Sequence, residues 1–430
     1  MADEFASLLS ATKQKVGFYL YDIENNRVLS SYKETRPLRP ASLLKILTSY
    51  GALRTLGPEH TFTTKVFVEG HRGSHVERLI VKGGGDPSFS TESLWKLARE
   101  IKKARISKIN TIVLDDSLYL NLNERGGERA YQAKATALPL NYNSIEFKVC
   151  PRSCGMQADV SYDPFEYGIN FDGKIITDSK KHFYQVDELK TSPNTYTLSG
   201  NIKCMAPCDT FYRSIDDPLL YFTQVFYEFL SYLDISASKK FLASVKSDNG
   251  KLLFSQSSLP LKEILVGLNH YSVNVTANHL VYAIGKTDIG KSFNVGLGVL
   301  NKVARDFGCT SCNIVDGSGL DHKNLLSAKV LGNILNAIAK SPSISAEFES
   351  SLPTMGRSGT LKKVNYLPQS VVLRAKTGTI NGVRGLAGYI YSRRGKKYTF
   401  VIMQDGADYV SAVNLERKLV NLINNRINRN

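Results

Sequence analysis

No run of eighteen or more apolar residues occurs in this sequence, so nothing in it reads as a membrane-spanning helix. The start, Met1-Ala-Asp-Glu-Phe5, lacks the basic and apolar stretches of a secretory signal. Two expectations fit that start: a cytoplasmic protein, or a mature exported form with an added Met. No Gly-Lys-Ser/Thr follows Gly83-Gly84-Gly85, which excludes a phosphate-binding loop there and leaves a turn. No internal repeat or low-complexity segment is visible. Acidic residues are the scarcer charge, 39 against 55 Lys and Arg, for a net charge of +16. That imbalance fits an anionic partner. The basic residues are spread along the chain, however, and clusters such as Arg393-Arg394-Gly395-Lys396-Lys397 read as hairpin turns. No zinc-finger or RNA-recognition motif stands out. Nucleic acid is therefore not expected as a partner, and an acidic polymer of another kind explains the charge equally well.

What is present is a 430-residue chain with 42% apolar residues, enough for two or three globular domains with a sizeable core. Its six cysteines form three close pairs, Cys150/Cys154, Cys204/Cys208 and Cys309/Cys312. The expectation is local disulfides in an oxidising compartment. The alternative is a zinc site built from the first four. The seven histidines read as structural or surface residues. His71 and His75 flank a loop, and nothing places His270 in a Ser-His-Asp triad.

Alternating Val16, Phe18 and Leu20, a turn at Asn25-Asn26 and a return at Val28-Leu29 predict a hairpin over 15–32. Ser42 to Leu56 is predicted as an apolar helix closed by Gly57-Pro58. From about residue 62 short strands alternate with turns, with one helix around Ser93–Lys103. After residue 250 helices return at 261–268, 275–284, 293–307 and 328–340. Strands follow over 372–377 and 385–403, and a last helix spans about 409–427. The predicted organisation is therefore residues 1–62 and 251–430 as two parts of one domain. Between them lies a β-rich α+β insertion, 63–250, with a possible sub-domain near 141–212.

Three short patterns carry the chemistry. Ser42-Leu-Leu-Lys45 opens an apolar helix, where a Ser and a Lys one turn apart share a face. Burial would lower the lysine pKa and let Lys45 take the Ser42 proton. Ser272-Val-Asn274 offers a hydroxyl and an amide; alone it reads as a helix cap. Lys376-Thr377-Gly378-Thr379 follows an apolar strand, and its edge can pair with an extended peptide that Gly378 admits closely. Each pattern alone is weak. In this order and context they form the triple signature of β-lactamases and penicillin-binding proteins.

Longer stretches narrow the resemblance. Pro40-Ala-Ser-Leu-Leu-Lys45, Leu56-Gly-Pro58, Gly83-Gly-Gly-Asp-Pro87, Asp115-Asp-Ser117 and Asp216-Asp-Pro218 resemble the class C low-molecular-mass penicillin-binding proteins (the penicillin-binding protein 4 type). So do Asp316-Gly-Ser-Gly-Leu320, Gly359-Thr-Leu361 and Gly382-Val-Arg-Gly-Leu-Ala-Gly388. The resemblance runs over about residues 15–405, and the long gap between Ser42 and Ser272 matches that family's inserted domain. It implies an α/β (α+β) fold: a serine β-lactamase/transpeptidase-like domain, with an antiparallel sheet flanked by helices, carrying a large β-rich insertion.

The resemblance implies D-alanyl-D-alanine carboxypeptidase and endopeptidase activity on peptidoglycan peptides, in the periplasm or on the outer cell surface. β-Lactam antibiotics would be covalent inhibitors, and no cofactor or metal is implied. By position, Ser42 is the acylated nucleophile, Lys45 its base and Ser272 the relay to the leaving amine. Asn274 holds the substrate amide, Lys376 supplies positive potential, and Thr377 and Thr379 bind the terminal carboxylate. The N–H groups of Ser42 and Thr379 would form the oxyanion hole. Asp316-Gly-Ser-Gly-Leu320 is expected to be an architectural turn with Ser318 non-catalytic. Three positions depart from relatives. Asn141 stands where cross-link-cleaving relatives often have an acidic residue, and His322 and Asn381 stand where some have Arg and Gln. These three are the possible side-chain pocket. The rival readings are a β-lactamase, which the long insertion and the lack of a deacylating Glu motif oppose, and a wall-binding pseudo-enzyme, which the intact catalytic set opposes.

Overall fold

The protein is described from a computed structural model, over residues 4–120, 126–163, 169–180, 182–189, 191–192, 194–238, 241–243 and 250–428. The chain separates into two compact units, Met1–His60 with Leu259–Asn430, and Thr61–Ser258.

The first unit is built on a five-stranded antiparallel sheet. Its order is Leu373–Ile380, Val383–Tyr391, Lys397–Asp405, Lys15–Asp22 and Arg27–Tyr32, so strands from both ends of the sequence meet at its centre. Side chains alternate across it, as strand geometry requires. Val16, Phe18 and Leu20 join Phe400, Ile402, Leu419 and Ile423 beneath the helix Tyr409–Asn428. The short helix Glu4–Ser10, which no sequence pattern announced, adds Phe5 and Leu9 to that cluster. Gly17 and Tyr19 point the other way, toward the helix Ala328–Ala339. There Gly332 lets the Tyr19 ring lie flush: a Cβ at Gly332 would stand 2.3 Å from it. The helix Leu44–Leu56 is buried on all sides over residues 44–53, which suits a helix apolar all round. It ends at Gly57 in the left-handed region, φ 84°. A three-residue 3-10 turn, Ala41–Leu43, precedes it, so Ser42 sits on the turn rather than on the α-helix itself.

The second unit holds a mixed sheet whose main path runs Ser236–Ala237, Lys108–Asp115, His75–Lys82, Thr63–Glu69 and Lys251–Ser257. The return to the first unit falls at Leu259, not at the expected residue 251, because Lys251–Ser257 pairs as an edge strand with Thr63–Glu69. Two helices, Thr91–Lys103 and Pro218–Tyr232, belong to this unit. The second was not anticipated from the sequence. Gly83-Gly84-Gly85 is a close crossing of backbones: a Cβ would stand 2.3 Å from the Ala137 carbonyl oxygen at Gly83 and 2.3 Å from that of Thr63 at Gly84.

Smaller sheets near residues 144–214 pack around Phe147, whose ring meets Tyr196, Phe171 and Phe211. Here the expected local cysteine pairing is corrected. Cys150 bonds Cys208 and Cys154 bonds Cys204; only Cys309–Cys312 is local. The reason is register. Ser144–Cys150 runs antiparallel to Asp209–Ser214 with Val149 opposite Asp209, which brings Cys150 and Cys208 together. All four cysteines of the alternative zinc site are thereby used as disulfides.

Candidate active site

The first unit brings the three patterns to one place through Leu43. This side chain is fully buried against two glycines that face each other across the sheet, Gly378 and Gly385. A Cβ at Gly378 would stand 3.0 Å from the Pro40 carbonyl oxygen, and one at Gly385 would stand 2.6 Å from Leu43 Cδ1. The space that Gly378 leaves is thus filled by the chain's own turn, not kept for a peptide. Ser42, next in line, is held beside the strand Leu373–Ile380. Ala41 before it adopts φ 46°, uncommon for a residue with a side chain.

Lys45 is completely buried. Its Nζ lies 2.9 Å from Ser42 Oγ, 2.7 Å from Asn274 Oδ1 and 2.9 Å from the Ser318 carbonyl oxygen. Burial lowers its pKa to about 7, against a smaller upward pull from Asp316. A neutral amine has two protons and one lone pair. It can donate to the two carbonyl oxygens, from Asn274 and Ser318, while its lone pair accepts the Ser42 proton. The arrangement can therefore generate a serine nucleophile near neutral pH.

The Ser318 contact was not foreseen, although its motif was noticed. Asp316 Oδ1 accepts from the N–H of Ser318 (2.7 Å) and of Gly319 (2.5 Å), which curls the turn. Gly319 has φ +82°, and a Cβ there would stand 1.8 Å from the Ala41 carbonyl oxygen. The curl aims the Ser318 carbonyl at Lys45, while the Ser318 hydroxyl turns to Asp316 at 3.2 Å.

Ser272 ends the helix Leu261–Tyr271 in the left-handed region, φ 60°, and Asn274 opens the next helix. The pattern is thus a C-cap plus a first helical residue, not the N-cap its residue types suggest. Lys376, also fully buried, donates to Ser272 Oγ and to the Thr377 carbonyl, each at 2.9 Å. Burial first, then the nearby Lys45 charge, pushes Lys376 well below the usual lysine range. The two amines therefore resist being charged together.

Pro353–Met355 covers the first part of the edge strand: Ala375 donates to the Pro353 carbonyl at 3.0 Å, and Met355 donates to that of Leu373 at 2.9 Å. Backbone N–H direction alternates every second residue, so Thr377 and Thr379 turn theirs to the same edge as Ala375. That edge can receive an extended peptide. Thr377 Oγ1 meets Thr360 Oγ1 at 2.8 Å.

The three departures are placed differently. His322 Nδ1 is 3.0 Å from Nη1 of Arg39, a residue the sequence reading passed over. Arg39 grips Asp405 through both carboxylate oxygens, at 2.5 and 3.0 Å. Asn381 lies in the exposed turn between Leu373–Ile380 and Val383–Tyr391. Asn141 belongs to the other unit; its amide accepts from the Thr91 N–H at 3.0 Å and donates to the Thr91 hydroxyl at 2.8 Å. Among the described residues no group of three or more His, Cys, Asp or Glu is arranged to hold a metal.

With that geometry in place, the matches to known proteins are informative. The model of the D-Ala-D-Ala carboxypeptidase 3 (S13) family matches residues 3–426. The chain belongs to this family. A D-alanyl-D-alanine carboxypeptidase from an Actinomadura species is 28% identical over 419 residues, covering 91% of this chain and 77% of the relative. The crystal structure of penicillin binding protein 4 from Haemophilus influenzae superposes with a TM-score of 0.84 at 24% identity, covering 98% and 99% of the two chains. A second structure of that protein holds a β-lactam. A predatory peptidoglycan endopeptidase from Bdellovibrio bacteriovorus superposes with a TM-score of 0.60 at 16% identity, covering 97% and 94%. The fold is therefore that of these structures, a transpeptidase-like unit with an inserted one. Among the described residues no helix is long and apolar enough to cross a membrane.

Proposed function

We propose that this S13 family member is a penicillin-sensitive serine D-alanyl-D-alanine carboxypeptidase and DD-endopeptidase, acting on peptidoglycan peptides outside the cytoplasm. The observation that carries the reading is the 2.9 Å contact between Ser42 Oγ and a buried Lys45 amine whose pKa falls to about 7.

The peptide lies along the edge beyond Ala375, with its terminal carboxylate at Thr377 and Thr379. That carboxylate favours the protonated form of Lys376, because its negative charge offsets the cost of the buried cation. Ser42 Oγ bonds to the penultimate D-Ala carbonyl carbon as its proton passes to Lys45. The N–H groups of Ser42 and Thr379 stabilise the oxyanion, each worth roughly 3–4 kcal/mol of barrier. The intermediate collapses, the C–N bond breaks, and the leaving amine takes a proton through Ser272, which Lys376 holds at 2.9 Å. Water then hydrolyses the ester and restores Ser42. A β-lactam follows the first step, but its leaving group stays tethered and shields the ester. Three disulfides suit an oxidising compartment.

Product analysis on purified muropeptides tests this reading. Pentapeptides should release D-alanine and cross-linked dimers should split to monomers. If the purified enzyme gives neither product, the reading fails.

A further inference from the structure

The contact between Thr377 and Thr360 raises a problem of proton supply. Each threonine hydroxyl has one proton to donate and two lone pairs to accept with. In the structure the Thr377 hydroxyl donates to Thr360 Oγ1 at 2.8 Å. A substrate carboxylate is an acceptor only, so Thr377 can greet it only by turning that proton away from Thr360. The turn is costless only if Thr360 then donates in the opposite direction.

Thr360 is held firmly enough to do this. It sits at the centre of the 3-10 turn Gly359–Leu361, with Leu361 fully buried. Gly359 has φ +54°, and a Cβ there would stand 2.7 Å from the His270 carbonyl oxygen, so the turn lies flush on the helix Leu261–Tyr271. Ser358 Oγ meets His270 Nε2 at 3.2 Å and accepts from the Thr354 N–H at 3.0 Å. The same helix end carries Ser272. One anchor therefore fixes Ser272 and Thr360 relative to the edge strand.

We infer that Thr360 is a positioning residue for recognition of the substrate's terminal carboxylate: its hydroxyl donates to Thr377 Oγ1, which frees and polarises the Thr377 proton for the carboxylate. The hydroxyls form a two-member chain, each bond strengthening the next. Thr360 acts through Thr377 and takes no part in the acyl transfer. The inference rests on the carboxypeptidase reading above and names a further residue in its specificity.

The test uses the full-length protein and two peptides ending in D-Ala-D-Ala, one with a free terminal carboxylate and one with a terminal amide. Thr360→Val removes the hydroxyl at nearly constant shape, and Thr360→Ser keeps it. Thr360→Val should lose about fivefold to tenfold in kcat/KM on the carboxylate peptide, the size expected for one net hydrogen bond. The loss should lie in KM, with kcat unchanged, and the amide peptide should change by less than about twofold. Thr360→Ser should restore the carboxylate preference. An equal loss on both peptides, a loss in kcat, or a fully active Thr360→Val would overturn the assignment. An unaltered enzyme that cleaves neither peptide would instead break the functional reading itself, and the Thr360 assignment with it.

Discussion

Two buried lysines of the first unit and three buried aspartates of the second serve opposite purposes. The first carries 30 Lys and Arg against 16 Asp and Glu, while the second carries 25 against 23, so nearly all of the net charge belongs to the first. Inside the first, Lys45 and Lys376 are fully buried and donate to hydroxyls and to carbonyl or amide oxygens. Such cations are held at a cost that depresses their pKa values, and a depressed lysine is a base. Inside the second, Asp86, Asp115 and Asp116 are buried and accept backbone N–H groups, and Asp115 also pairs with Lys82 at 3.3 Å. Asp86 accepts from the Ser88 N–H at 2.8 Å, Asp115 from the Ser117 N–H at 3.0 Å, and Asp116 from those of Ala137 and Leu138. These acids shape turns. The motifs Gly83-Gly-Gly-Asp-Pro87 and Asp115-Asp-Ser117 therefore mark the fold, and Ser42-x-x-Lys45 and Lys376-Thr-Gly378 mark the chemistry.

The sharpest way to break that contrast is to remove the base without emptying its site. Lys45→Met fills similar space and cannot take a proton, and Lys45→Arg stays charged. Either should slow acylation by β-lactam by about a thousandfold, within the range for losing a general base. Stopped-flow acylation kinetics measure this, and a rate within tenfold of the unaltered enzyme would count against Lys45 as the base. The same unaltered enzyme should lose acylation rate as pH falls through about 7, where Lys45 gains its proton.

Stability should respond to pH in opposite directions in the two units. Lys45 has a folded pKa below its unfolded value, so its contribution is full above about 10 and is lost as pH falls toward 7. Asp116 is the reverse. Burial raises its pKa to about 7, with two backbone hydrogen bonds opposing. Its contribution is full below about 4 and is lost as pH rises to about 7. Asp116→Asn removes that titration and should flatten the slope between pH 4 and 7 by roughly 1–3 kcal/mol. Chemical denaturation at several pH values, followed by hydrogen exchange in each unit, checks it; an unchanged slope would mean that Asp116 is ionised in the fold.

The smallest effect is expected at Asn141. Its amide already grips Thr91, and an aspartate can accept both of those hydrogen bonds, from the Thr91 N–H and from its hydroxyl. Asn141→Asp should therefore fold, and should change the stability of the second unit by no more than about 1 kcal/mol. Chemical denaturation of both proteins, followed by hydrogen exchange in that unit, reads this out. A larger loss would mean that the donor side of the Asn141 amide holds Thr91 in place.

Much of this architecture was legible because local pattern and tertiary role agree. The hairpin over 15–32 shows alternation and a turn, the helix after Ser42 is an apolar run closed by Gly57, and the strands beside Arg393–Lys397 are apolar runs joined by a basic Gly turn. The helix Pro218–Tyr232 was missed although Asp217 caps it and Pro218 opens it, because its Phe and Tyr residues read like another strand in a β-rich block. The cysteine pairing was out of reach, since strand register decides it. Arg39 was invisible for the same kind of reason: its partner Asp405 lies 366 positions away and no spacing links them. Thr360 and the Ser318 carbonyl belong to motifs that were seen but whose targets only the fold reveals. The side chains of the triple signature were legible as residue types, and their distances were not.

The central claim is that Ser42 is the group that becomes acylated. Intact-mass measurement after brief exposure to benzylpenicillin should show one adduct, and peptide mapping should place it on the fragment containing Ser42. Ser42→Ala should abolish both the adduct and D-alanine release, because Ser42 carries the hydroxyl whose proton Lys45 is placed to take. An adduct on another fragment, or D-alanine release by Ser42→Ala at the unaltered rate, would contradict the account.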